Sequence, residues 1–160
     1  MAVEIERKFL VTNDSWRAAV KKCSDYRQGY LANMAGNASV RVRITDEEAN
    51  LNIKSMTLGV TRQEYEYEIP RQDAREMLDK LCIGPVIEKR RYLVDCGNHT
   101  WEIDVFEGDN TGLIVAEIEL GTEDEAFELP AWAGKEVSDD KRYYNVCLAQ
   151  HPYKEWQDSL

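Results

Sequence analysis

Alternation with a period of two runs through most of this chain, and it commits the backbone to strands with two unlike faces. Over residues 2–11, Glu4, Glu6 and Lys8 fall on one face while Val3, Ile5 and Phe9 take the other, with Arg7 as the exception. The same rule sets Val40, Val42 and Ile44 against Arg41 and Arg43, and Leu51 and Ile53 against Asn52 and Lys54. Tyr65, Tyr67 and Ile69 oppose Glu64, Glu66 and Glu68. Further on, Lys89, Arg91 and Leu93 share a face, and Trp101, Ile103 and Val105 oppose Glu102, Asp104 and Phe106. In the last clear strand Ile114, Ala116, Ile118 and Leu120 oppose Val115, Glu117 and Glu119. A further strand fits residues 26–32, weakened by Gly29.

Helical signals are fewer. Asn13 or Asp14 is placed to cap a short helix over 15–23. Residues 72–81 put Ala74, Met77, Leu78 and Leu81 on one side before Gly84 and Pro85 end the pattern. Short helices are expected near 123–127 and 140–150, a turn over 34–39, and an amphipathic tail helix within 151–160 that carries Tyr153 and Trp156. Nearly all strand connections are short, so pairing is antiparallel and the class is α+β, in one domain spanning 1–160. Helices and tail must cover the apolar face. The polar face either lies open or curls inward, and alternation leaves both arrangements open.

That polar face is unlike an ordinary solvated one, because its charges are sorted by strand. Arg41 and Arg43 form a basic row, while Glu64, Glu66 and Glu68 form an acidic one, as do Glu117 and Glu119. Like charges facing each other across strands are destabilising, so a merely solvated face would gain by mixing signs. Sorted rows make sense when a ligand supplies the missing charge. Carboxylates suit a hard divalent cation, and arginines and lysines suit phosphate oxygens; a metal-polyphosphate ligand needs both. Glu68 and Glu102 read equally well as site residues or as solvated strand ends.

The chain as a whole carries 30 acidic and 20 basic side chains, a net charge of -10. This argues against nucleic acid or an anionic membrane as partner, while a local basic cluster can still hold a small anion. Cys23, Cys82, Cys96 and Cys147 have neither zinc nor redox spacing, and His99 and His151 read as surface residues. The run MAVEIERKFLV is too charged for a secretory signal. No apolar run approaches the ~20 residues of a membrane helix, so the cytoplasm is the expected compartment.

Taken in order, several strings carry a family resemblance. They are Glu4 to Lys8 (ExExK), Arg41-Val42-Arg43, the lone strand lysine Lys54, RQEYE from Arg62 to Glu66, EKRRY with Lys89 and Arg91, EIDVF, AEIEL and DKRYYN from Asp140 to Asn145. The series spans nearly the whole chain and resembles the CYTH or triphosphate tunnel metalloenzyme family, most of all its short bacterial inorganic triphosphatases. The resemblance implies a closed eight-stranded antiparallel β-barrel with helices packed outside. It implies one or two Mg²⁺ or Mn²⁺ ions on Glu4, Glu6, Glu117 and Glu119, with Asp104, Glu64 and Glu66 completing or orienting that set. Lys8, Arg41, Arg43, Lys54, Lys89, Arg91, Lys141 and Arg142 become candidates for holding phosphate.

Among these, Lys8, Arg41, Arg43, Lys54 and Glu66 are the candidates for catalysis. Nearby carboxylates favour the charged form of Lys8, so it is expected to position substrate or water rather than to act as a base. The implied reaction is metal-dependent hydrolysis of tripolyphosphate to pyrophosphate and orthophosphate. The rival readings are a class IV adenylyl cyclase or another hydrolase of an organic triphosphate, such as ATP or thiamine triphosphate, and a polyphosphate- or nucleotide-binding module without turnover. The oligomeric state is not legible.

Overall fold

A computed structural model describes residues 2–31, 37–56 and 59–160. Of the turn expected over 34–39, residues 34–36 lie outside them, and residues 38 and 39 already belong to the third strand. Among the described residues nine strands and two α-helices follow in the order β1 (Ala2–Val11), β2 (Val20–Tyr30), β3 (Ala38–Thr45), β4 (Ala49–Ser55), β5 (Thr61–Glu68), α1 (Arg71–Lys80), β6 (Ile87–Cys96), β7 (His99–Phe106), β8 (Ile114–Glu119), β9 (Ala133–Glu136) and α2 (Asn145–Gln150).

Every pairing is antiparallel, and the sheet closes on itself. The strand order β5-β4-β3-β2-β6-β7-β8-β1 is completed by pairing of β1 with β5, giving an eight-stranded barrel. The long first strand does the closing. Ala2 to Ile5 pair with β5, while Glu6 to Leu10 pair with β8. Where β5 ends, the short β9 takes over the freed edge of β1, matching Phe9 with Glu136 and Val11 with Ala133. Closure satisfies the edge groups that an open sheet would leave exposed and turns the charged face inward.

Apolar side chains pack in three groups. Outside the barrel, α1 lays Ala74 and Leu78 over Val42, Ile44 and Ala49. Gly29 permits this approach, since a Cβ there would overlap the Cys82 sulfur. On the opposite outer wall Phe9, Trp101, Ile103 and Ile118 pack with Trp16 and Trp132. The third group closes one end of the barrel. Ile87, Phe106 and Val115 continue the inward faces of their strands, but apolar and not charged, against Val146, Leu148, Ala149, Tyr143 and Trp156 from the C-terminal segment.

Several local expectations change. Residues 15–23 form a 3-10 turn over Ser15–Ala19 and then enter β2 at Val20, because Lys22 and Cys23 pair with Leu93 and Tyr92 of β6. Long-range pairing overrides the weak helical signal. Residues 123–124 form a turn and 125–127 are irregular where a helix was expected, and the four-residue β9 was too short to announce itself by alternation. The segment 140–150 divides into a 3-10 turn (Lys141–Tyr143) and α2. Two 3-10 turns, Tyr153–Glu155 and Gln157–Ser159, stand where one tail helix was expected, with Trp156 buried between them. Tyr65 and Tyr67 lie on the outer face but stay exposed. Among the described residues no helix is long and apolar enough to cross a membrane.

Candidate active site

The barrel encloses a cavity of about 340 Å³ to which all eight of its strands contribute side chains. Seven carboxylates and seven cations line it, so the interior is close to neutral only on average. Strand order separates the signs. The consecutive strands β5, β1, β8 and β7 bring Glu64, Glu66, Glu4, Glu6, Glu117, Glu119 and Glu102, while β4, β3 and β6 bring Lys54, Arg41, Arg43 and Arg91. Lys8 and Arg62 are cations on the acidic half.

Within the acidic wall, one carboxylate oxygen each from Glu6, Glu102 and Glu117 lies within 4.8 Å of the others. Cross-strand register explains the cluster, since Glu117 faces Glu102 on one side and Lys8 on the other, with Glu6 opposite Glu119. Burial, then the charges of Glu117 and Glu4, push the Glu6 carboxyl well above its ordinary value. Burial acts the same way on Glu117, but Lys8, Arg91 and Lys89 overcome it and hold that carboxyl well below the usual range. Glu119 is raised by burial and by Glu4 and Glu102. Glu6 therefore favours its protonated form beside an ionised Glu117, and the three oxygen donors of the cluster are able to hold a hard divalent ion such as Mg²⁺ or Mn²⁺. Glu4 is placed otherwise, with its carboxylate 2.7 Å from Lys54 Nζ, which also lies 3.8 Å from Glu64. Glu66 accepts a hydrogen bond from Asn52 Nδ2 at 3.2 Å.

The basic half is built around one buried acid. Asp104 Oδ1 accepts from Arg91 Nε at 2.8 Å, and its Oδ2 accepts from Arg91 Nη2 at 2.9 Å and Lys89 Nζ at 2.7 Å. Arg91 and Lys89 outweigh burial and hold Asp104 at about 2. Lys89 is pushed down to about 7 by burial, which Asp104 opposes and Arg91 and Arg43 reinforce. Burial, with Arg41 and Arg91 nearby, lowers the Arg43 guanidinium to about 10. Arg41 is 9% exposed, and its buried Nε has no hydrogen-bond partner among the described residues. Leaving a buried cationic donor unmatched is costly, so an anion in the cavity would relieve what the protein alone does not.

Three expected site residues do not line the cavity. Asp104 stands outside the acidic cluster, 1% exposed with both oxygens taken, and serves as counter-ion to the basic strands. Lys89, also 1% exposed, shares the inward face of β6 with Arg91 but is held on that same carboxylate. Arg142 points away from the cavity to Asp140 at 2.6 Å, because successive positions of the 3-10 turn diverge; its neighbour Lys141 does line the cavity. Conversely, Glu102 joins the metal-capable cluster, which alternation could not decide but the β7–β8 register does. Sequence reasoning passed over Arg62, Tyr144 and Asn145, although all three lie inside the strings RQEYE and DKRYYN. Lys8 and Arg62 both stack over the Tyr144 ring, at 5.4 and 4.4 Å from its centroid.

Comparison with known proteins agrees with this architecture. Residues 2–148 match the CYTH domain. An inorganic triphosphatase of Acetivibrio thermocellus is 45% identical over 158 residues, covering 99% of this chain and 100% of that one. An inorganic triphosphatase of Nitrosomonas europaea is 40% identical, covering 91% and 96%. A crystal structure of an inorganic triphosphatase superposes with a TM-score of 0.67 at 37% identity, over 93% of this chain and 95% of the other. With a closed barrel, a sign-sorted cavity and relatives matched end to end, the chain belongs to the CYTH domain family.

Proposed function

We propose that the protein hydrolyses inorganic tripolyphosphate, with a divalent metal, to pyrophosphate and orthophosphate. The observation that carries this reading is the facing of an acidic triad, Glu6, Glu102 and Glu117, and a basic wall, Arg41, Arg43 and Arg91, across one cavity. The two similar proteins named inorganic triphosphatase support the choice of substrate. Water adds to a terminal phosphorus, the bridging P–O bond breaks, and pyrophosphate leaves. Mg²⁺ or Mn²⁺ on the triad would neutralise phosphate oxygens and make water a better nucleophile.

The chain's own part is to hold and neutralise. Arg41, Arg43 and Arg91 present fixed donors to phosphate oxygens where charge shifts during transfer. Lys54 and Lys141 extend that cradle. Lys8 Nζ donates to the Tyr143 carbonyl at 3.1 Å and lies 3.5 Å from Glu117, a donor's place that suits positioning of phosphate or water. Glu66 lines the cavity on the acidic half.

The test is phosphate release from tripolyphosphate, pyrophosphate, ATP and thiamine triphosphate, with Mg²⁺, with Mn²⁺ and with chelator, while cyclic AMP is followed in the ATP sample. Metal-dependent preference for tripolyphosphate is expected. Cyclic AMP from ATP, or preference for an organic triphosphate, would replace this substrate assignment, and binding without turnover of any substrate would remove the enzymatic one.

A further inference from the structure

Strand β2 lies between the two basic strands and pairs with both, β3 on one side and β6 on the other. Among the described residues it is the barrel strand that brings no charged side chain to the cavity. Its inward positions are Tyr26, Gln28 and Tyr30, in step with the cavity-lining Tyr30. A third row of cations there would stand only ~4.8 Å from each basic neighbour and add repulsion. A row of acids would cancel the charge that a phosphate has to meet.

Gln28 is 0% exposed, and its neighbours dictate its hydrogen bonds. Arg43 Nε can only donate, so Gln28 Oε1 accepts from it at 2.9 Å. Lys89 Nζ donates to Asn145 Oδ1 at 3.1 Å, as it does to Asp104, and the same Asn145 oxygen accepts from Gln28 Nε2 at 3.1 Å. Two amides in series thus join Arg43 on β3 to Lys89 on β6 and tie both to the first residue of α2. Among the described residues no carboxylate lies within ion-pair distance of Arg43; the Tyr26 ring, 4.7 Å from the guanidinium, and the Gln28 amide hold it instead. Arg91 differs, being paired with both Asp104 and Glu102.

We infer that Gln28, supported by Asn145, is a positioning residue for the anion: its neutral amide fixes Arg43 in the cavity wall without cancelling the charge, and so sets the affinity for phosphate. This rests on the polyphosphate reading of the cavity. It gives the DKRYYN string a physical task, because Asn145 is the acceptor that orients the Gln28 amide toward Arg43.

The experiment compares Gln28→Glu and Asn145→Asp with the wild-type protein. Asn145→Asp retains an oxygen for both bonds that Oδ1 accepts and adds only charge, so it carries the test if Gln28→Glu does not fold. Titration calorimetry with tripolyphosphate in chelator, steady-state kinetics with Mg²⁺ and thermal unfolding are read for each. Gln28→Glu is expected to weaken metal-free binding and raise KM by about tenfold, the worth of one charge-assisted hydrogen bond, with a smaller change in kcat. Asn145→Asp is expected to move binding and KM in the same direction by less. The Gln28→Glu effect should largely vanish when Arg43→Gln is also present. Unchanged binding and KM in folded variants, a loss confined to kcat and melting temperature, or an equal loss with and without Arg43 would overturn the inference. Wild-type binding without hydrolysis would remove the proposed reaction and leave the inference standing, whereas a wild-type protein that binds no phosphate anion would take both down.

Discussion

The acidic and basic halves of the barrel face the same problem, like charges packed in a confined space, and they solve it by opposite means. The acidic half gathers Glu6, Glu102 and Glu117 and relieves repulsion by keeping a proton, since burial and its neighbours raise Glu6 while Lys8 and Arg91 lower Glu117. Arginine sheds no proton at ordinary pH, so the arginines of the basic half have no such outlet. The basic half spaces its cations with the uncharged inward face of strand β2, sets one buried carboxylate, Asp104, beneath Lys89 and Arg91, and still leaves Arg41 Nε unmatched among the described residues. A titratable wall adapts to its occupant by exchanging a proton for a metal. A wall of arginines has to be built in place, and its cost falls on residues behind the cavity.

The largest effect expected from breaking this contrast is on the acidic side. Glu117→Gln should cost about a thousandfold in metal-stimulated tripolyphosphate turnover, as loss of a central metal ligand would, while circular dichroism reports an intact fold. Retained turnover would show that the triad is not the metal centre. On the basic side the corresponding change acts through stability. Asp104→Asn strands Lys89 and Arg91 without their shared counter-ion and should destabilise the fold by about 3–5 kcal/mol in denaturant titration, whether or not metal is present.

A smaller, pH-dependent effect separates the halves further. The Glu6 carboxyl titrates well above its ordinary 4.5, so between 4.5 and that raised value the folded, metal-free protein holds a proton that the unfolded chain has released. That contribution to metal-free stability therefore declines as pH rises through this window. Metal must expel the same proton, so Mn²⁺ affinity should rise by about tenfold per pH unit below the Glu6 titration and level off above it. Calorimetry in two buffers of different ionisation enthalpy would count the proton released; a pH-independent affinity would contradict a protonated Glu6. The smallest effect belongs to Arg142→Ala. Its guanidinium pairs with Asp140 on the surface, so KM and kcat should stay within about twofold of wild type.

The barrel walls were legible because alternation is local. Glu4, Glu6, Arg41, Arg43, Glu117 and Glu119 reveal their faces within a few residues. Closure was not, since the pairing of Ala2 with Glu64 joins distant segments that no local pattern connects. The same limit explains the site. Glu102 reads equally as a site residue or a strand-end charge until the register sets it opposite Glu117, and Asp104, two residues later on the same face, belongs to Lys89 and Arg91 of the neighbouring strand. Arg142 and Lys141 are adjacent in sequence, and only the 3-10 turn decides which of them reaches the cavity. Gln28 carries no charge and so gave no signal, although it orders the charges around it.

The central claim is that one ligand spans both halves, metal on the acids and phosphate on the bases. Mn²⁺ affinity measured with and without a non-hydrolysable imido analogue of tripolyphosphate tests it most directly, because two sites that share a ligand must strengthen each other reciprocally. The account predicts that the bound analogue tightens Mn²⁺ by about tenfold or more, and that Mn²⁺ tightens the analogue by the same factor. Independent binding of the two, each unaffected by the other, would contradict it.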